Sequence, residues 1–476
     1  MLASILVFIY LFILSIFPVN TLSIGLLGQP KSLLPIENQN DTERTISNFL
    51  YRRLLHYNSS TGELTYDLLD SYKELDPGLV YEVTLKKGQY WQDGTEITSD
   101  DIIYTASLSK NLKEVSSDKV NKYTVRFFLP NKYSPFLSLL DLPLMPAHKS
   151  KSAKKRVLWP VGSTKYRVIR YKKDRAFIKE LVLMNIQGSK PFKKVVFKFY
   201  NNPDDLKAGL LLREVDTALL DSPFKVEGYS SKRTPFYGRS YLLLFNTKKD
   251  YLDTDARLSI ANYVNFNVLL KEVAYFNAEK ALGPFSGTWA QADTDLLTIP
   301  NASKKLSLDK TLKLYFPNTT VAKKLANEIR TQLESKGLSI ELNPSPQKDF
   351  SKYIRKQDYD LVLTAHEYGL DPDRFVFWHS SQSDTGLNFS NFSNVRIDKS
   401  LEDARKETNL EKRKEHYRVF QSAFFEEVPA LYLLHPTLYL HYRSDLEIPE
   451  GDKLLYPWQI FDNLDLWKQK NPQKLF

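Results

Sequence analysis

The amino-acid sequence predicts an α/β protein of two or three domains, with mixed sheets flanked by helices. Three observations lead there. Residues 311–365 carry a βαβαβ pattern, residues 81–105 carry a strand, a turn and a capped helix, and 476 residues suffice to bury several cores.

In the βαβαβ stretch, Thr311 to Phe316 alternates as a strand does. Val321, Leu325, Ile329 and Leu333 then recur every fourth residue along a helix that stops at Gly337, a residue type suited to a C-cap. Leu338 to Leu342 reads as a second strand, Asp349 to Lys356 as a short helix and Tyr359 to Ala365 as a third strand. Right-handed crossovers make such strands parallel, and ligands of such sheets sit outside the carboxyl ends. Those ends are Pro317-Asn318-Thr319, Asn343-Pro344 and His366-Glu367-Tyr368, which makes Asn318, His366, Glu367 and Tyr368 candidate ligand contacts. In the earlier pattern, Tyr81, Val83 and Leu85 face one way along a strand. Asp93-Gly94 makes a turn, and Thr98 stands three residues before Asp101, the spacing of a capping box.

Composition bounds the chemistry. Hydrophobic residues at 42% with 13% aromatics belong to a globular chain, and the absence of cysteine excludes disulfides, thiolate metal sites and cysteine nucleophiles. It also excludes a lipidated cysteine anchor. The net charge of +10 is mild for this length. Basic clusters at Lys149 to Arg156 and at Lys172-Lys173 read as a solvated positive face, without the aromatic interleaving of a nucleic-acid binder. Enzyme patterns fail one by one. Ser286 in Gly283-Pro284-Phe285-Ser286-Gly287 is one place too late for a nucleophile elbow. His366 opens a zincin-like run, but Leu370 stands where the second histidine is needed. The pairs Asp100-Asp101 and Asp204-Asp205 suit helix N-termini. No enzyme, cofactor or metal is therefore expected.

The order Trp91-x-Asp93-Gly94-Thr95-x-Ile97-Thr98-Ser99-x-Asp101-Ile102 resembles the signature of the extracytoplasmic solute-binding proteins of ABC importers, in the oligopeptide/dipeptide-binding family (solute-binding protein family 5). Further segments resemble it in the correct order: Ser32-Leu33-Leu34-Pro35, Pro160-Val161-Gly162-Ser163, and Leu244-Phe245-Asn246 with Asp255, Arg257 and Ala261. Asp371-Pro372-Asp373, Phe377 to Ser381, Asn388 to Phe392 and Val428 to Tyr432 complete the series.

That resemblance implies a two-lobed, type II periplasmic-binding-protein-like clamp with an extra third domain. Residues 22–38, 155–240 and 438–476 would form lobe I, 39–154 the extra domain and 241–437 lobe II. It implies capture of an oligopeptide or similar polar solute by hinge closure and delivery to a permease, by a monomer. In peptide binders of the family a carboxylate three residues before the Asp-Pro turn holds the peptide's α-amino group. Here that position is Tyr368, and the acid, Glu367, is one step earlier. One step along a strand turns a side chain to the other face, so either an insertion returns Glu367 to the pocket or the amino anchor is absent. Asn40 and Asp41 fall at the family's first peptide-pairing segment, and Trp289 falls at a loop near the cleft. Asn246 either touches ligand or bridges strands. An alternative reading is a membrane-tethered adhesion or structural module that keeps the fold without transport.

Residues Leu2 to Phe17 are almost wholly apolar, interrupted by Ser4 and Ser15. No Lys or Arg precedes them and no clean cleavage site follows. An uncleaved membrane anchor over residues 1–21 is favoured over a cleaved signal peptide, and either one puts the remainder outside the cytoplasm.

Overall fold

The computed structural model describes residues 20–35, 40–152, 157–272, 278–303, 305–450 and 453–470. The expected anchor, Leu2 to Phe17, lies outside them, and no helix among the described residues is long and apolar enough to cross a membrane.

The largest sheet is seven-stranded, in the order Tyr229–Pro235, Thr437–Arg443, Thr217–Leu220, Thr21–Leu27, Lys194–Tyr200, Phe177–Asn185, Tyr166–Asp174. It joins the start, middle and tail of the chain. Thr21–Leu27 runs parallel to both neighbours and the other pairings are antiparallel. A four-stranded antiparallel sheet, Leu69–Asp76, Val80–Leu85, Thr124–Phe128 and Ser116–Asn121, lies in the expected extra domain.

The six-stranded sheet runs Glu279–Lys280, Ala430–His435, Arg239–Phe245, Leu361–Glu367, Thr311–Pro317, Ser339–Ser345. Its last three strands are the βαβαβ unit, parallel as the sequence pattern requires. The Thr320–Glu334 helix joins the first two, buries Leu325, Ile329 and Leu333, and ends before Gly337 at φ +88°. The third strand runs two residues further than its pattern, to Glu367, because Arg239 pairs opposite that residue. The sheet therefore begins at Arg239, two residues before the boundary expected at 241.

The cores explain a division into two bodies. Leu22, Ile24 and Phe197 of the seven-stranded sheet share one apolar cluster with Tyr81, Val83 and Trp91 of the extra domain. The six-stranded sheet keeps separate cores on its two faces, with Leu243 and Phe245 on one and Leu242 and Leu244 on the other. Alternation along one strand feeds both. Hydrophobic burial thus joins the extra domain to the seven-stranded sheet and leaves the six-stranded one as a separate unit.

Candidate ligand-binding cleft

Between these bodies lies a cavity of about 1180 Å³. That exceeds the roughly 300–1,000 Å³ of ordinary small-molecule pockets. Tyr456 and Trp458 line it from the side of the seven-stranded sheet, Arg44, Asn111, Lys132 and Tyr133 from within residues 39–154, the extra domain, and Glu367, Asp371 and Phe375 from the side of the six-stranded sheet.

Strand parity decides which of the candidates reach it. Glu367 projects from the end of Leu361–Glu367 into the cavity wall and pairs with Arg239, its neighbour in register. His366 and Tyr368 point to the other face, into the apolar core. The His366 ring stacks on Phe377 at 4.2 Å and lies beside Trp378 at 5.7 Å. Burial, with Arg374 adding to it, pushes the His366 pKa down to about 3. Tyr368 carries the Arg374 guanidinium over its ring at 3.8 Å, while its carbonyl oxygen accepts from the Tyr456 hydroxyl. Glu367 is thus in the wall although its alignment with the family is shifted by one residue, and Tyr368 is not, its carbonyl being bonded to the wall residue Tyr456.

Asn246 is buried, donates to the Tyr359 carbonyl at 2.9 Å and accepts from Asn391 at 3.0 Å, bridging two segments away from the cavity. Asn40 caps the Asp41–Leu50 helix, accepting from the Glu43 N–H at 2.8 Å while Glu43 accepts from the Asn40 N–H at 3.1 Å. Asp41 is the first residue of that helix, exposed at its surface, with Arg44, Arg239 and Glu367 as its charged neighbours. Asn318 is exposed, its N–H donating to the Ser345 carbonyl at 2.8 Å, and it is not in the cavity wall. Trp289 is buried between the extra domain and the six-stranded sheet, donating from Nε1 to the Tyr57 hydroxyl at 2.8 Å.

Trp289 belongs to a polar seam that closes the cleft on one side. Arg413 grips Asp371 through two bonds of 2.6 and 2.5 Å, and the Tyr57 hydroxyl donates to the same carboxylate at 3.3 Å. Arg405 holds Asp373 at 2.7 Å, and the Tyr133 hydroxyl donates to that carboxylate at 3.3 Å. Burial works against the Asp373 charge, yet Arg405 holds its pKa below the usual range. Arg44, Arg239, Arg405, Arg413 and Tyr456 were not among the sequence candidates. Arg239 lies 128 residues from Glu367, and no local pattern announces such a pairing.

The shared core, the separate six-stranded unit and the cleft between them define a clamp of the solute-binding-protein class. The model of bacterial extracellular solute-binding proteins, family 5 (middle), matches residues 63–387, and the chain belongs to that family. Its members bind solutes and are not enzymes. The oligopeptide-binding protein AppA of Bacillus subtilis is 24% identical over 94% of this chain and 91% of its own. The probable D,D-dipeptide-binding periplasmic protein DdpA of Escherichia coli is 22% identical over 90% and 91%. Among solved structures, the ABC transporter substrate-binding protein CtaP of Listeria monocytogenes superimposes with a TM-score of 0.77 at 19% identity, covering 95% of this chain and 99% of that one. NikZ from Campylobacter jejuni, in complex with Ni(L-His), gives 0.71 at 21% identity, covering 95% and 100%. The fold is thus the mixed α/β clamp with an extra domain that the sequence predicted.

Proposed function

We propose that this protein is the extracytoplasmic substrate-binding component of an ABC importer, which captures oligopeptides or a similar polar solute and delivers them to a permease. The observation that carries the reading is the cavity of about 1180 Å³, walled by all three structural units and rich in polar groups. Such a site is contacted from every side only when the bodies approach, so ligand binding stabilises the closed state. The names of the relatives support a peptide: an oligopeptide-binding protein and a probable D,D-dipeptide-binding protein align over nearly their full lengths. The apolar stretch Leu2 to Phe17 supports a tether at the outer face of the membrane.

Native mass spectrometry of the purified chain tests the reading. Co-purifying peptides of heterogeneous mass are expected, together with a raised melting temperature on adding mixed peptides. If neither appears, peptide binding is wrong.

A further inference from the structure

Resting on that reading of the cleft, we propose that Arg44 recognises a carboxylate of the bound ligand, at the end of the cavity where the family resemblance implies an amino-group anchor. Several charges around the cavity are already satisfied. Arg53 pairs with Asp141 at 2.7 Å, Arg405 with Asp373 at 2.7 Å, Lys406 with Glu402 at 3.5 Å and Arg413 with Asp371 at 2.5 Å. Glu367, the acid at the end of the cavity nearest Arg44, is paired with Arg239, and Glu114, the wall acid without an ion pair among the described residues, is exposed on the extra domain. Arg44 lines the same cavity and has no ion pair among the described residues.

Its setting is that of a prepared binding group. Arg44 is half-buried in the first turns of the Asp41–Leu50 helix, which the Asn40–Glu43 capping box holds at its start. The guanidinium carbon lies 6.0 Å from the centre of the Tyr456 ring. That ring stacks on Trp458 at 5.5 Å and 10°, and its hydroxyl is tied to the Tyr368 carbonyl, next to Glu367. Arg44 and Glu367 therefore share one end of the cavity, and of the two only Arg44 is free of an ion pair. Asp41, one turn earlier, interacts electrostatically with Arg44, Arg239 and Glu367, but no ion pair within 4.0 Å joins it to Arg44 among the described residues. Lys132 is also unpaired among the described residues, but it is exposed on the extra domain. A guanidinium offers two parallel donors to a carboxylate, which a mobile ammonium does not.

Calorimetric titration of the full chain with pentaalanine separates the alternatives. The free acid and the N-acetylated free acid are expected to bind alike, and the C-terminal amide at least tenfold more weakly. Arg44→Gln, with its folding checked by thermal melting, is expected to lose the difference between acid and amide, and Arg44→Lys to keep part of it. An Ala-Ala-Asp-Ala-Ala amide assigns the carboxylate: recovered affinity means that a side chain serves, unrecovered affinity that only the chain terminus does. Equal affinity of acid and amide for the wild type, or an unchanged difference in Arg44→Gln, overturns the role of Arg44 while peptide binding stands. Failure of the wild type to bind any of the four probes overturns the peptide reading itself, and this inference with it.

Discussion

Both ring nitrogens of His366 are buried without a hydrogen-bond partner among the described residues. Its imidazole is neutral in the fold, with a pKa pushed down by burial and by Arg374 to about 3. His435 is held at about 4, chiefly by burial. In the unfolded chain both rings titrate near 6.5. Below that pH the unfolded chain takes up protons that the folded chain refuses. The stability contributed by the neutral rings is therefore complete above pH 6.5 and is lost as pH falls toward 4 and 3. The slope is about 1.4 kcal/mol per pH unit for each histidine. His366→Leu is expected to remove one of these protons, so that stability measured by urea denaturation falls less steeply from pH 6 to pH 4. An unchanged slope would mean that His366 is protonated in the fold. His366, one of the candidate ligand contacts, is thus a core ring, and Glu367 beside it lines the cleft. Strand parity put Glu367 on the face opposite His366 and Tyr368 but left open which face met the cleft. The Arg239 partner was not readable, because it comes from a strand far away in the chain.

The Trp91–Ile102 signature shows what a family motif does at the scale of elements. Asp101 accepts from the Thr98 N–H at 2.8 Å and from the Ala147 N–H at 2.8 Å, fixing the start of the Ser99–Leu108 helix and the loop that follows the extra domain's sheet. Gln92 reaches across to the seven-stranded body, its Nε2 donating to the Thr164 and Tyr166 carbonyls at 2.9 and 2.7 Å. The Gln92 N–H donates to the Gly162 carbonyl at 2.8 Å, so two segments that carried the family resemblance bind each other. Gly162 is required there because a Cβ would collide with the Leu50 carbonyl oxygen. The signature is a joint between domains, which is why it identified the scaffold and no ligand. Gln92→Ala is expected to cost roughly 1–3 kcal/mol, since it removes two donor bonds, both part-buried, to the Thr164 and Tyr166 carbonyls; denaturant melts of the variant check this. The βαβαβ unit was legible because period and caps are local. The discontinuous seven-stranded sheet was not readable from periodicity, because pairing across nearly the whole chain leaves no local trace, and only the ordered family segments pointed to it.

For the whole molecule, the extra domain has two kinds of boundary. Toward the seven-stranded sheet it shares an apolar core, which opening would expose to water. Toward the six-stranded sheet it meets hydroxyls, carboxylates and guanidiniums: Tyr57 with Asp371 and Arg413, and Tyr133 with Asp373 and Arg405. Polar contacts exchange with water at small net cost, so the clamp is expected to part along this seam. Each acid keeps its own arginine when the seam opens, which leaves no carboxylate stranded. Tyr57→Phe combined with Tyr133→Phe removes both hydroxyl donors while conserving ring volume. It also deprives the Trp289 indole N–H of its acceptor. Hydrogen bonds to charged groups contribute about 1.5–3 kcal/mol each, and the 3.3 Å lengths here favour the low end. A combined loss of about 3 kcal/mol shifts an open-to-closed ratio by more than about a hundredfold. Small-angle scattering of the ligand-free double variant is therefore expected to give a larger radius of gyration than the wild type, with peptide restoring the compact form. If the radius were unchanged and peptide affinity unaffected, the seam would not hold the clamp shut, and closure would have to rest on contacts at the Arg44–Glu367 end of the cleft.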